Sequence, residues 1–529
     1  MKIITVLLTI FLLISCQRDR PTRYNLGVAS LEVTGEEAAL PHFEKGLLLL
    51  YSFEYEDARE EFREAQESDS GMAMAYWGEA MTYNHSLWGE QDYEKAALAL
   101  QRFKANANVE SITPLERDFI YAVEILYKPD KDKVKRDKEY AEYMHEMHEK
   151  YPGNQEVAAF YSLALLGSVP EGRDDNLYSR AAVVAQGILK ENPKHPGALH
   201  YLIHSYDDPD HAQLALSAAN AYSKVAPDAS HALHMPSHIY VALGMWDEVV
   251  SANERSYQAS VHRMERKKLD NDARSYHAYH WLEYGYLQKG RIEDARKMVL
   301  DMQQYTTETP SKYARTHQVF LKGTYLVETN LWDSPIADIP IDVSGLNVSV
   351  RSQYNFLEGM RAFKAGNGQK LGEIIATIKK DREFETIIVN DAGKTVCLSQ
   401  TREEASRTDI AESEIMETQL RGLRAWLDND VEHAERWLKK SAEMEDNLSY
   451  SYGPPFIQKP THELYAEWLL YQQKPEEALE QYDQTLKRAT RRVITLRGKQ
   501  RAASLCGNES LAQKIGRMIT DIRGNEQSI

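Results

Sequence analysis

The chain has 529 residues, more than one apolar core normally organises but an ordinary length for a repeat array. Hydrophobic residues make up 43% and charged residues 27%, which suits a folded protein and excludes a disordered or collagen-like one. Sixty-three basic against eighty acidic residues leave a formal charge of −17, so phosphate is repelled and no nucleic-acid partner is expected.

The chain opens with Lys2 and an apolar run over residues 3–14. That is the length of a signal peptide and too short to span a bilayer, which takes about 20 residues. The run ends in Leu13-Ile14-Ser15-Cys16, which resembles the lipobox of bacterial lipoproteins. The resemblance implies that residues 1–15 are removed, that Cys16 is lipidated on sulfur, and that the new amino terminus is acylated. At about 0.8 kcal/mol per buried CH₂, two or three acyl chains hold such a protein on a membrane. Gln17 stands where an aspartate retention signal would keep the protein at the inner membrane, so the expected location is the cell envelope, at the outer membrane facing the periplasm. Residues 16–37 read as the lipidated cysteine and a polar tether. No later segment is long and apolar enough to cross a membrane. Cys397 and Cys506 fall in different repeats and are expected as buried apolar residues, not as a disulfide.

From residue 38 the chain repeats. Over residues 42–70, Gly46 and Ala58 are small residues where two helices cross, Phe62 and Ala65 continue the second helix, and Leu49 packs inside. Tyr76-Trp77-Gly78 begins a second unit, whose inter-helix turn is enlarged over residues 84–92. Asn84, His85 and Trp88 in that turn read as loop residues that can also cap a groove. Pro193 and Pro227 are 34 residues apart, each after a helix. Leu199, Leu202, Ile203 and Tyr206 form a stripe at i, i+3, i+4 and i+7. Further units are marked by Gly244, Gly290, Gly323, Gly359, Gly422, Ala466 and Gly498. A period of about 34 residues with small residues at the crossings resembles the tetratricopeptide repeat (TPR). The resemblance implies an all-α, TPR-type α-α superhelix of roughly nine or ten helix pairs. Residues 38–332 are expected to form an N-terminal solenoid and residues 351–529 a C-terminal one. A Pro- and Gly-containing joint at 333–350 separates them. Residues 385–398 read as an irregular insertion, residues 447–460 as a loop, and the basic stretch 487–501 as a solvated helix face.

Ten of the 17 histidines lie between His195 and His280, where even spacing would place about three. His200 and His204 are i and i+4 on one helix face, continued by Asp207 and Asp208. One period later His234 and His238 take the same places, with His231 extending the stripe. His277, His280 and Tyr284 then copy the spacing of His231, His234 and His238. The step from His234 to His280 is 46 residues, 12 longer than the period, which points to a helix extension over residues 258–274. In TPR solenoids the exposed face of each first helix lines the concave groove, so these residues are expected to look into one groove. His200, His204, His234, His238 and His280 are the candidate ligands for zinc or another transition metal, for which neutral imidazole is suited. Pro236 suggests that the helix holding His238 begins near Met235, leaving His231 and His234 on the preceding loop. His145-Glu146-Met147-His148 has the wrong spacing for a metalloprotease helix and reads as a solvated face.

The stretches HYLIHSYDDP at residues 200–209, HALHMPSHIY at 231–240 and AYWGEAMTYNH at 75–85 resemble a cassette found in many bacterial TPR proteins, a group for which the resemblance implies a fold and no activity. The chain has no G-x-S-x-G elbow, P-loop or paired C-x-x-C. Solenoids seldom carry catalysis alone, so a binding role is expected before an enzymatic one. The leading expectation is a membrane-anchored scaffold that holds a protein segment, peptide or small ligand in a His/Tyr-lined groove. The alternative is a transition-metal-binding protein or metal-dependent enzyme, and the third is nutrient capture.

Overall fold

The computed structural model of the chain describes residues 24–107, 111–129, 132–392 and 405–524. Cys16, Cys397, the apolar leader and the start of the tether lie outside them.

Antiparallel helix pairs follow one another along the chain. They are α1 (Leu40–Tyr51) with α2 (Tyr55–Ser68), α3 (Ala73–Met81) with α4 (Tyr93–Asn106), and α5 (Pro114–Leu126) with α6 (Lys133–Lys150). Next come α7 (Gln155–Gly167) with α8 (Asp175–Glu191), and α9 (Pro196–Ser205) with α10 (Ala212–Val225). Then α11 (Ser230–His234) and α12 (Pro236–Leu243) together pair with α13 (Trp246–Lys267), and α14 (Tyr276–Lys289) with α15 (Ile292–Glu308). Helix α16 (Lys312–Thr329) stands without a second helix. The array ends with α17 (Val348–Lys364) and α18 (Gly368–Ala392), α19 (Arg407–Leu427) and α20 (Val431–Asp446), α21 (Thr461–Tyr471) and α22 (Pro475–Arg488), and α23 (Val493–Leu505) and α24 (Glu509–Arg523). The architecture is an all-α, TPR-type α-α superhelix. No helix among the described residues is long and apolar enough to cross a membrane.

Composition explains which helix faces inward. Every residue of α3 and of α9 is buried, including the polar Glu79 of α3 and His200 and His204 of α9. The second helices are amphipathic; α2 buries only Tyr55, Ala58, Phe62 and Ala65. Close crossings need glycine: a Cβ on Gly78 would lie 2.3 Å from the Phe62 ring, which also packs on Gly46. The α5–α6 and α7–α8 pairs lack such a glycine at the crossing, so the sequence markers pass over them.

The superhelix winds tightly enough for later repeats to rest on earlier ones. Arg263 and Lys267 of α13 pair with Asp57 of α2. Trp246 Nε1 donates to the Arg491 carbonyl at 3.2 Å, and Val493 N donates to Gln288 Oε1 at 2.8 Å. One apolar core therefore runs through the first repeats and also takes in Val493, Leu496, Ile515 and Ile522 from the carboxyl-terminal helices.

Several local expectations change. Residues 25–34 are a packed strap and not a free tether: Leu26 is buried, Val28 N donates to the Lys194 carbonyl, and Thr34 N and Oγ1 both donate to Glu116. Residues 385–392, expected as irregular, continue α18 to Ala392, and 393–398 lie outside the described residues. The segment 333–350 holds a 3₁₀ turn, Pro335–Asp338, with Ile336, Ile341 and Leu346 buried, and α17 begins within it. Within the basic stretch, Arg492 is fully buried between Glu328 and Glu463, so that face is not wholly solvated. Cys506 is half-buried and unpaired.

Candidate functional site

Three first helices converge on one buried point. α9 presents His200 and His204 one turn apart, and the α11–α12 helix presents His234 and His238 in the same way. Pro236 does not displace His231 and His234 onto a loop. Met235 keeps helical angles (φ −51°, ψ −37°), its N–H bonds the His231 carbonyl at 3.0 Å, and Pro236 serves as the first residue of α12. The proline only forfeits a bond that a new helix start leaves unmade anyway. α14 brings His277, after the extension of α13 to Lys267 has absorbed the additional residues.

The rings form a continuous cluster. Ligand-capable atoms of His200, His204 and His231 lie within 4.8 Å of one another; so do those of His234, His238 and His277, and those of His204, Asp207 and His238. Ring centroids are 4.9 Å apart for His200–His204, 5.3 Å for His204–His238, 5.1 Å for His234–His238 and 4.7 Å for His234–His277. His200, His204, His234 and His238 are at most 6% exposed, while His231 and His277 are half-buried.

The hydrogen bonds set the tautomers. His200 Nδ1 meets the Tyr51 carbonyl at 2.7 Å, and a carbonyl only accepts, so Nδ1 carries the hydrogen. Asp207 Oδ2 accepts from His204 Nδ1 at 3.3 Å and from His238 Nδ1 at 3.2 Å. Asn253 Nδ2 donates to the Val249 carbonyl, which turns Oδ1 toward His234 Nδ1 at 2.6 Å. In all four imidazoles, then, Nδ1–H is held by a fixed acceptor and Nε2 is left with a lone pair. Nε2 of His204 and of His234 are buried with no hydrogen-bond partner. His200 Nε2 faces His231 Nε2 at 3.2 Å. Holding the outer nitrogen and presenting the inner one is how proteins orient histidine ligands for a metal.

Burial disfavours the charged form of His200, His231, His234 and His238. Burial pushes His200 and His231 well below the usual imidazole range, with neighbouring histidines adding to the effect. Burial takes His234 down to about 3, aided by His238, and lowers His238 despite its bond to Asp207. Burial alone would raise Asp207, but the bonds from His204 and His238 outweigh it and hold the carboxylate below its ordinary value. Arg173 backs the acidic pair, with Nη1 3.8 Å from Asp207 and Nη2 3.0 Å from Asp208.

The cluster is roofed, and an open concave groove is not what the histidines line. The 447–460 loop places Tyr452 on His238 at 4.9 Å and Gly453 against Trp281. Trp88, from the enlarged turn 84–92, edges onto His231 at 5.9 Å. Phe53, held in the left-handed region at φ 55°, tilts its ring onto His200 at 4.3 Å and stacks on His231 at 5.6 Å. A phenylalanine at positive φ is strained, and such strain concentrates at functional sites. Tyr51, whose carbonyl holds His200, and Trp77 both pack on Phe160, at 5.2 and 5.1 Å.

Two candidates lie elsewhere. His280 Nε2 meets Thr324 Oγ1 at 2.8 Å and packs on Phe320, away from the cluster; His277, one turn earlier on α14, takes the place assigned to it. Tyr284 is buried 5.3 Å from Trp246 and likewise stands apart. Asp208 bonds Arg173 and His211, so it supports the site without touching the candidate ligand rings. Sequence reasoning passed over Phe53, Asn253, Trp281, Tyr452 and Arg173. Of these only Trp281, beside His280 and in helical phase with His277, carried a local signal.

Fold and site together define a helical-repeat protein of TPR type with a buried histidine cluster. Neither a family model nor a curated protein matches the chain. Among solved structures, a human IFIT1 dimer with m7Gppp-AAAA is 12% identical with a TM-score of 0.33, covering 94% of this chain and 92% of that one. Yeast Tom70 is 10% identical with a TM-score of 0.33, covering 91% and 92%. The TPR domain of P58(IPK) is 12% identical with a TM-score of 0.21, covering 89% and 99%. Likeness at this level bears on no individual residue and no activity.

Proposed function

We propose that this protein is a lipid-anchored protein of the bacterial cell envelope that binds a transition metal inside its TPR superhelix. The observation that carries the reading is the set of four buried imidazoles whose Nδ1 atoms are tied outward to Tyr51, Asp207 and Asn253 while their Nε2 lone pairs turn inward. Leaving a buried polar atom unpaired costs about 1–3 kcal/mol, and His204 and His234 each leave one. A bound cation removes that cost. The donors are nitrogen, which suits zinc, copper, nickel or iron and not calcium or magnesium.

The candidate ligand imidazoles are His200, His204, His231, His234, His238 and His277. The scaffold reading, a protein segment, peptide or small ligand held against a His/Tyr face, is less well supported because Tyr452, Trp88 and Phe53 already occupy that face. The anchor is proposed at Cys16, with the outer membrane as its site. Elemental analysis of full-length protein purified without an affinity tag tests the metal reading. At least one equivalent of zinc, copper, nickel or iron is expected, and its absence both as isolated and after incubation with these ions refutes it. Labelling with radioactive palmitate, abolished in Cys16→Ala, tests the anchor.

A further inference from the structure

The histidine set is double, and the repeat makes it so. His200 and His204 become His234 and His238 after 34 residues, and His231 becomes His277 after 46. Each triplet closes on itself, with its ligand atoms within 4.8 Å of one another. The triplets also share a wall. Rings of His204 and His238 are 5.3 Å apart and those of His231 and His234 6.1 Å, and Asp207 Oδ2 accepts from one ring of each triplet. An ion of tetrahedral preference takes about four donors in all. Six imidazoles exceed the need of one ion, whereas three and three match two.

Local charge selects the kind of ion. An imidazole coordinates a metal as the neutral ring, so the six donors add no charge. Asp207 and Asp208 contribute two negative charges and Arg173 one positive, 3.8 and 3.0 Å from them, and the Glu54 carboxylate accepts from His231 N at 2.9 Å. Two divalent ions would set four positive charges against at most two net negative charges among buried rings, where uncompensated charge is costly. Two monovalent ions halve that load. Among metals suited to imidazole, copper is the one with a common monovalent state.

Granted the metal-binding reading above, we infer that the centre is a binuclear site for two monovalent copper ions, one on His200, His204 and His231 and the other on His234, His238 and His277.

The test titrates full-length, untagged, metal-free protein with Cu(I) under anaerobic conditions against bathocuproine disulfonate, and in parallel with Zn²⁺. Two Cu(I) per chain and fewer than two zinc are expected. His231 and His277 are the half-buried members of their triplets, so His231→Ala and His277→Ala disturb packing least. Each is expected to weaken one copper ion by at least about 100-fold and leave the other in place. Circular dichroism checks the fold, and His231→Gln and His277→Gln replace any alanine variant that fails it. One copper per chain in the parent, two zinc ions held as firmly as copper, or single variants that spare both ions would overturn the binuclear copper site while leaving metal binding intact. Failure to bind any of the ions overturns the reading beneath it.

Discussion

Asp207→Asn is the sharpest probe of the centre, because one oxygen orients two rings. Asp207 Oδ2 accepts from His204 at 3.3 Å and His238 at 3.2 Å, while Oδ1 faces Arg173 Nη1 at 3.8 Å. An asparagine has one oxygen to offer. The guanidinium only donates, so it draws that oxygen and turns the amide nitrogen toward the two imidazoles. Each Nδ1 must then accept, which moves its hydrogen to Nε2 and removes the lone pair a metal needs. The opposite amide orientation sets the NH₂ group against Arg173 and still discards the negative charge that strengthens both ligands. Loss of such an orienting partner typically lowers metal affinity by about 10–100-fold, or about 1.4–2.7 kcal/mol per ion. Because His204 and His238 belong to different triplets, both ions should weaken together. Asp208→Asn is the control, since Asp208 meets Arg173 and His211 and no candidate ligand. Competition titration against a chromophoric chelator reads the outcome. Affinity in Asp207→Asn within about 3-fold of the parent, or an equal loss in Asp208→Asn, would refute the reasoning.

Three other outcomes follow from the same structure. Metal-free protein should lose stability as pH falls below about 6.5, because unfolded histidine takes up a proton there while His234 stays neutral down to about 3. The penalty grows by about 1.4 kcal/mol per pH unit for each such ring, so His234 alone costs about 2 kcal/mol at pH 5, and urea midpoints that stay level between pH 7 and pH 5 would count against it. Glu283 is buried with both carboxylate oxygens unpartnered, and burial followed by Glu328 raises it well above the usual range. Its stability contribution is intact below about pH 4.5 and declines as pH rises, so Glu283→Gln should raise the melting temperature at pH 7.5 and leave it unchanged near pH 4.5. Gly453 sits at φ 93° with space for no Cβ, which would lie 2.3 Å from Trp281. Gly453→Ala should push the Tyr452 loop off the centre and speed metal release to a chelator in stopped-flow measurements, with an unchanged release rate as the contrary result.

Much of the fold was legible in the chain. Crossing glycines such as Gly46, the 34-residue step from His200 to His234, and the apolar first helices are local features, and local spacing determines which residues share a helix face. The phase of His200, His204, His234 and His238 followed from that alone. The length of α18 was misread because residues 385–392 lack an apolar stripe, yet the helix continues through exposed positions such as Ile387. Pro236 does not end the helix, because Met235 keeps helical angles and its own N–H bond to the His231 carbonyl, a continuity that residue spacing does not reveal.

What the sequence by itself determined is the repeat, the inward face of each first helix and the duplication of a histidine pattern, since these depend on residues within one or two turns of each other. Only the tertiary structure decided that His277 and not His280 completes the second triplet, that Asp207 bridges both, and that Tyr452 and Phe53 pack over the rings. Those contacts join residues up to about 250 positions apart, such as His204 and Tyr452. They depend on the pitch at which the superhelix brings its later repeats back onto its earlier ones, a sum of many small packing angles that no local pattern encodes.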